Sequence, residues 1–167
     1  LTAEGGLDWA HWGASATSAA YDQKAMGGSK IGNYTEIGAG NPGNFGGTFG
    51  NAPGVYKWYD GTPTTASTNT TGIYFGNIGH GFQLNIEAAQ TNRVVHINVG
   101  SFSCIAHVEA SLSDGSALAF IDESLPSGTS ARYNLEFRAG SAGQTLIFKI
   151  WDINNSGGNV TLESVSM

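Results

Sequence analysis

The sequence predicts an all-β fold, a β-sandwich of about nine to eleven short antiparallel strands. Three observations carry this. Short runs alternate apolar and polar side chains, as in Phe82-Gln83-Leu84-Asn85-Ile86, the pattern of a strand with one buried face. Turn chemistry such as Asp60-Gly61, Asp114-Gly115 and Gly157-Gly158 recurs between these runs. No stretch carries the 3.6-residue period of an amphipathic helix. The 167 residues read as one domain, without internal repeats, and suffice for a sizeable core.

In chain order, residues 1–12 form a first strand. Its alternation places Leu7, Trp9 and His11 on one side and Asp8, Ala10 and Trp12 on the other, so its two tryptophans point opposite ways. Residues 13–54 form a long irregular region. It holds a small polar run at 14–20, the polar group Asp22-Gln23-Lys24, a short strand at 31–37 containing Tyr34, and a Phe/Gly/Asn-rich loop at 41–51. Long loops inside compact domains are often functional. Regular strands follow at 55–59, 70–75 and 82–86.

Alternation then suggests two hairpins. In the first, residues 93–99 pair with 104–112, so that Val99, Ile97 and Val95 meet Cys104, Ala106 and Val108, and His96 lies opposite His107. In the second, 132–139 pair with 144–151. Phe137, Leu135 and Tyr133 then meet Leu146, Phe148 and Ile150, and Arg132 lies opposite Trp151. A strand at 117–122 lies between the hairpins, and residues 159–167 form the last strand.

Composition narrows the function. The net charge is −6 with only seven Lys and Arg, which excludes a nucleic-acid binder that needs a basic face. No segment approaches the roughly 20 apolar residues of a membrane helix. The start of the chain has no basic region followed by an apolar run, so any secretion signal lies outside this sequence. Only 12% of residues are charged. Surface polarity therefore comes from Ser, Thr, Asn and Gly, which suits contact with a neutral polymer. The single cysteine, Cys104, forms no intrachain disulfide and falls on an inner face as a small hydrophobe.

Catalytic signatures are missing. There is no Gly-x-Ser-x-Gly and no His-Glu-x-x-His, and the acids Asp60 and Asp114 precede glycine as turn residues. The chain reads as a non-enzyme. The glycine-rich stretches 38–40 and 43–50 lack the helix and the Gly-Lys-Ser/Thr of a phosphate loop. His96 and His107 with Glu109 could hold a transition-metal ion, but two outer-face histidines across a hairpin are more often incidental. A structural calcium ion, held by carboxylates between the first and last strands, has Glu4, Asp152 and Glu163 as candidates by chain position.

Sugar rings stack an apolar face on aromatic side chains and offer hydroxyls to polar groups. The aromatic stretches around Trp9–Trp12 and Tyr56–Asp60 supply both, as do Tyr34 and Trp151. The expected ligand contacts are stacking by Trp12, Trp58 and Tyr59, and polar contacts by Asp60, His11 and Lys24, with Tyr34 nearby. Trp9 joins Leu7 in the core.

The order of Asp8-Trp9-Ala10-His11-Trp12-Gly13, Ile31-Gly32-Asn33-Tyr34-Thr35, Trp58-Tyr59-Asp60-Gly61-Thr62-Pro63, Ser111–Ser116 and Gly157-Gly158-Asn159-Val160-Thr161-Leu162 resembles non-catalytic carbohydrate-binding modules. These are β-sandwich domains appended to secreted bacterial polysaccharide-degrading enzymes. The resemblance covers most of the chain outside 38–54. It implies a jelly roll of the galactose-binding-like type and an extracellular, monomeric module. Such a module targets a parent enzyme to a polysaccharide, an algal galactan being one candidate. The alternatives are a structural or adhesive spacer that contacts protein and a small glycan-active enzyme. A sugar binder should show at least two exposed aromatics in a groove lined by polar side chains, whereas a spacer should bury all four tryptophans.

Overall fold

Alternation is realised as strands along most of the chain, but the first strand spans only Trp9–Trp12: residues 1–8 form turns and bends, and Leu7, expected in the core with Trp9, is exposed. The computed structural model describes residues 1–14, 20–26, 28–155 and 157–167; most of the small polar run expected at 14–20 lies outside these. Among the described residues there are fifteen strands and no helix. They are β1 (Trp9–Trp12), β2 (Tyr21–Lys24), β3 (Thr35–Ile37), β4 (Phe45–Phe49), β5 (Tyr56–Trp58), β6 (Gly61–Thr62), β7 (Ser67–Asn69), β8 (Gly72–Gly76), β9 (Gly81–Glu87), β10 (Arg93–Phe102), β11 (Ala106–Leu112), β12 (Phe120–Asp122), β13 (Thr129–Phe137), β14 (Thr145–Asp152) and β15 (Asn159–Ser166). Beyond the predicted strands the fold adds β2, β4, β6 and β7. Two of these lie in the region expected to be irregular, and β4 occupies the loop expected at 41–51.

Two antiparallel sheets face each other. The larger runs β13-β10-β15-β1-β2-β6, with β8 beside the first half of β15 and β4 beside β8. The smaller runs β12-β11-β14-β9-β3. From β8 to β11 successive strands alternate between the sheets, and β13, β14 and β15 do so again, which is jelly-roll connectivity.

The two predicted hairpins do not form. β10 pairs with β13 and β15, whereas β11 pairs with β12 and β14. His96 therefore sits on the larger sheet beside Asn134, and His107 on the smaller beside Glu123. Arg132 and Trp151 are likewise on different sheets. The physical reason is simple: a period of two fixes which face a side chain takes, not which strand lies beside it. A short connection can arch across the roughly 10 Å between two sheets as well as turn within one.

The inner faces are as the alternation requires. Val95, Ile97, Val99, Ala106, Val108, Phe82, Leu84, Ile86, Phe148 and Ile150 are buried in one core with Ala10, Trp12, Ile73, Leu162 and Val165. Cys104 lies in the same core, and burial pushes its thiol up to about 11, so it is an inert packing residue. A second, smaller cluster lies outside the sandwich. Trp9, Ala52, Tyr56 and Trp58 pack together with Leu1 and Phe49. The ribbon of β5 and β7 supplies the cover over β1.

Candidate functional site

The aromatic stretch 9–12 is buried along its whole length. Trp9 and Trp12 point to opposite faces, yet neither reaches solvent, because each face has its own cover. Trp12 enters the main core, stacks on Tyr21 at 5.9 Å and donates its Nε1–H to Asn33 Oδ1 at 2.8 Å. Trp9 lies against Trp58 at 5.3 Å, and His11 lies between Trp58 and Tyr56 at 5.1 and 5.2 Å. Trp12, Trp58 and His11 have no exposed surface, so they are framework residues and not sugar contacts. Burial pushes the His11 imidazole down to about 4, partly offset by the Thr71 backbone, and neither ring nitrogen has a hydrogen-bond partner of good geometry.

Asp60 and Lys24 are also structural. The Lys24 ammonium donates to Asp60 Oδ2 at 2.8 Å and to the Gly5 carbonyl at 2.9 Å. Asp60 Oδ1 accepts Trp9 Nε1–H at 3.0 Å and the Thr2 hydroxyl. Burial pushes the Asp60 carboxyl up, but the hydrogen bonds from Lys24, Thr2 and Trp9 outweigh it and hold it below the usual range. Asp60→Ala should therefore lower stability by about 1–2 kcal/mol, as measured by denaturant unfolding, since the pair is partly solvated. Of the remaining expected contacts, Tyr59 is exposed, with the Lys57 ammonium 5.4 Å from its ring centre. Tyr34 is half-buried edge-on against Phe75 and Phe82.

The three calcium candidates do not converge. Glu4 is exposed and pairs with Arg132 at 2.9 Å. Asp152 is buried on the smaller sheet, where its Oδ1 accepts the backbone N–H groups of Asn154 and Asn155. Glu163 belongs to the larger sheet. Among the described residues no three His, Cys, Asp or Glu side chains come together to hold a metal ion.

Glu163 instead marks a site the sequence reading missed. On β15, Val160 and Leu162 enter the core, so Thr161 faces outward. The alternation then breaks. Asn98 on β10 pairs with Ser164 and the next residue, Val99, with Leu162, leaving Glu163 as the extra residue of a β-bulge. Glu163, after the inward Leu162, faces the outer side of the larger sheet beside Thr161, at the floor of a groove, and the bulge returns Val165 to the core.

The groove has a volume of about 370 Å³. One wall comes from Phe49 at the end of β4 and from Tyr74 on β8; the opposite rim is Phe102 at the end of β10, which is 60% exposed. Between them lie Ser101, Thr129, Ser130, Asn159, Thr161 and Glu163, with Asn51 at the edge. Two glycines make the close approaches possible. A Cβ at Gly72 would strike the Phe49 ring at 2.6 Å, and one at Gly100 would strike Thr161 Oγ1 at 2.7 Å.

Hydroxyls surround the Glu163 carboxylate. Ser130 donates to Oε1 at 2.9 Å, Thr161 donates to the same oxygen at 3.4 Å, and Tyr56 donates to Oε2. Burial and the Glu163 carboxylate both push the Tyr56 hydroxyl far above its usual range, so it remains a donor. The smaller sheet carries a second partly exposed aromatic place, where Trp151 lies 4.2 Å from the His107 ring. Beside it Lys149 pairs with Glu109, while Arg132, expected there, holds Glu4 on the other sheet.

No protein-family model and no curated protein matches the chain. Solved structures give weak similarities. The xylan-binding domain CBM22-1 of Paenibacillus barcinonensis Xyn10C is 9% identical, with a TM-score of 0.48 over 94% of this chain and 91% of that one. The module TmCBM61, solved with β-1,4-galactotriose, is 14% identical, with a TM-score of 0.42 over 75% and 87%. The enzymatically active domain of bacteriophage CBA120 tailspike protein 4 is 12% identical, with a TM-score of 0.47 over 83% of this chain, which spans only 19% of the length of that one. Similarities of this size say nothing about a ligand.

Proposed function

We propose that this chain is a non-catalytic carbohydrate-binding module, one β-sandwich over residues 1–167, whose glycan site is the groove on the outer face of the larger sheet. The observation that carries this reading is the composition of the groove. Three aromatic rings, Phe49, Tyr74 and Phe102, border a floor of hydroxyls, amides and one carboxylate. That is the pairing a sugar requires: ring faces for its C–H surface, and short polar side chains for its hydroxyls. A volume of about 370 Å³ falls in the range of small-ligand sites and suits one or two sugar units, the rest of a polymer running out past the open ends.

Hydrolysis is not part of the reading. A glycosidase places two carboxyl groups roughly 5–10 Å apart across the scissile bond. Among the described residues lining this groove, Glu163 is the single carboxylate. In this reading the module works outside the cell as a monomer and holds an attached bacterial enzyme close to its polysaccharide.

The spacer reading has two observations in its favour. Trp9, Trp12 and Trp58 are fully buried and Trp151 is only partly exposed, close to the burial of all four tryptophans expected of a spacer. Leu118, Phe120 and Ile121 are exposed beside an apolar cleft of about 220 Å³ on another edge of the sandwich, a surface suited to a neighbouring protein. The two readings part on affinity electrophoresis of the chain through gels containing neutral polysaccharides. The module reading predicts retardation on at least one of them. Passage through all of them without retardation would leave the spacer.

A further inference from the structure

We infer that the groove selects against anionic sugars and that Glu163 is the residue that imposes this selection, an inference that rests on the groove being the glycan site. Glu163 is 1% exposed, yet its carboxylate lines the groove. It forms no ion pair with any described Lys, Arg or His. Arg132, the cation on the neighbouring part of the same sheet, is held by Glu4. Among the described residues no Lys, Arg or His lines the groove. The three hydroxyls that donate to Glu163 supply hydrogen bonds and no charge.

Burying a carboxylate without a cation costs several kcal/mol even where hydrogen bonds are made. A glutamine could accept the Ser130 and Thr161 hydrogen bonds through its amide oxygen, with the Tyr56 hydroxyl turned to accept from its amide nitrogen, without that cost. The position therefore places a carboxylate, at a local expense, in the middle of a ligand-sized groove. A sulfate or carboxylate on a bound sugar would enter a low-dielectric cleft facing a like charge with no counter-ion beside it. Such an unfavourable contact is the usual means of rejecting a wrong ligand. Neutral sugars meet no such penalty, and an amine-bearing sugar gains a partner. The ligand class is then an uncharged or amine-bearing glycan.

The test uses a matched pair: a neutral polysaccharide that retards the chain, and the same polymer after partial sulfation, compared by affinity electrophoresis at low ionic strength. Sulfation should weaken binding at least about tenfold, equivalent to about 1.4 kcal/mol. Glu163→Gln should bring the sulfated polymer to within about threefold of the neutral one, both measured on that variant. Ser130→Lys, which places an ammonium beside the carboxylate from an exposed position, should remove most of the penalty even if Glu163→Gln fails to fold. Equal binding of the two polymers by the parent chain overturns the inference. So does a sulfation penalty that survives unchanged in both folded variants, because the penalty would then be steric. A chain that binds no polysaccharide overturns the assignment of the groove itself, and this inference falls with it.

Discussion

Trp58→Ala should cost about 3–5 kcal/mol of folding stability, a large part of the 5–15 kcal/mol typical of a domain. Trp58 is fully buried, lies against both Trp9 and His11, and donates its Nε1–H to the Thr64 carbonyl at 2.8 Å. Truncation leaves a cavity at the centre of the outer cluster and removes the main contact between β5 and β1. The effect should also reach the groove. Phe49 packs on the same cluster, and Tyr56, two residues before Trp58, donates to Glu163. Glycan affinity should therefore fall along with stability, although Trp58 touches no ligand. Equilibrium denaturation of the parent chain and variant gives the stability difference. A loss below about 1 kcal/mol would show that the outer cluster is a loose cover and not a foundation.

Acid should destabilise the protein well before its carboxylates titrate. The folded His11 imidazole has its pKa pushed down to about 4 by burial, against about 6.5 when unfolded. A group whose folded pKa is depressed in this way, and whose charged form is the protonated one, is neutral in the native state where the unfolded chain already binds a proton. Stability is then complete above about pH 6.5 and declines as the pH falls toward 4, because the unfolded state takes up the proton first. The expected loss is about 2 kcal/mol between pH 7 and pH 5, and about 3 kcal/mol in full. The carboxyl groups of Glu4, Asp60, Glu87 and Asp122, all held below their usual values, lose their contributions at lower pH, so the two windows separate. Urea unfolding at pH 7 and pH 5 should show the loss in the parent chain and a nearly flat profile in His11→Phe. The same loss in both proteins would assign it to another group.

Much of the fold is legible in the sequence, because a half-buried strand writes its orientation into a two-residue period. Val95, Ile97 and Val99, or Phe82, Leu84 and Ile86, fall inside as their alternation demands. Strand neighbours are not written there, which is why His96 and His107 are read as partners and turn out to lie on separate sheets. The site is less legible for a related reason. Trp12 and Trp58 look like ligand contacts because alternation exposes one face of a strand, but a face is exposed only if nothing covers it. Here Trp12 faces the main core, and on the other face of β1 the β5–β7 ribbon, distant in sequence, is the cover and buries Trp58 against Trp9. The actual groove draws on Phe49 from a stretch read as loop, Phe102 from a predicted turn, and Glu163 from the last strand, at the edge of a bulge. One signal was available: Thr161 and Glu163 face outward from a last strand whose apolar partners, Val160 and Leu162, already fill the core. The aromatic stretches at 9–12 and 56–58 remain central in a different role, as the base against which Phe49 and Tyr56 are placed.

The groove assignment is tested most directly by isothermal titration of a retarding neutral oligosaccharide into the parent chain and three single variants. Phe102 is 60% exposed, so Phe102→Ala should fold normally and lose at least about tenfold in affinity. Tyr59→Ala and Trp151→Ala remove an exposed and a partly exposed aromatic away from the groove and should each bind within about twofold of the parent chain. Unchanged affinity in Phe102→Ala, with a clear loss in either of the other two, would place the glycan on a different face and contradict the account.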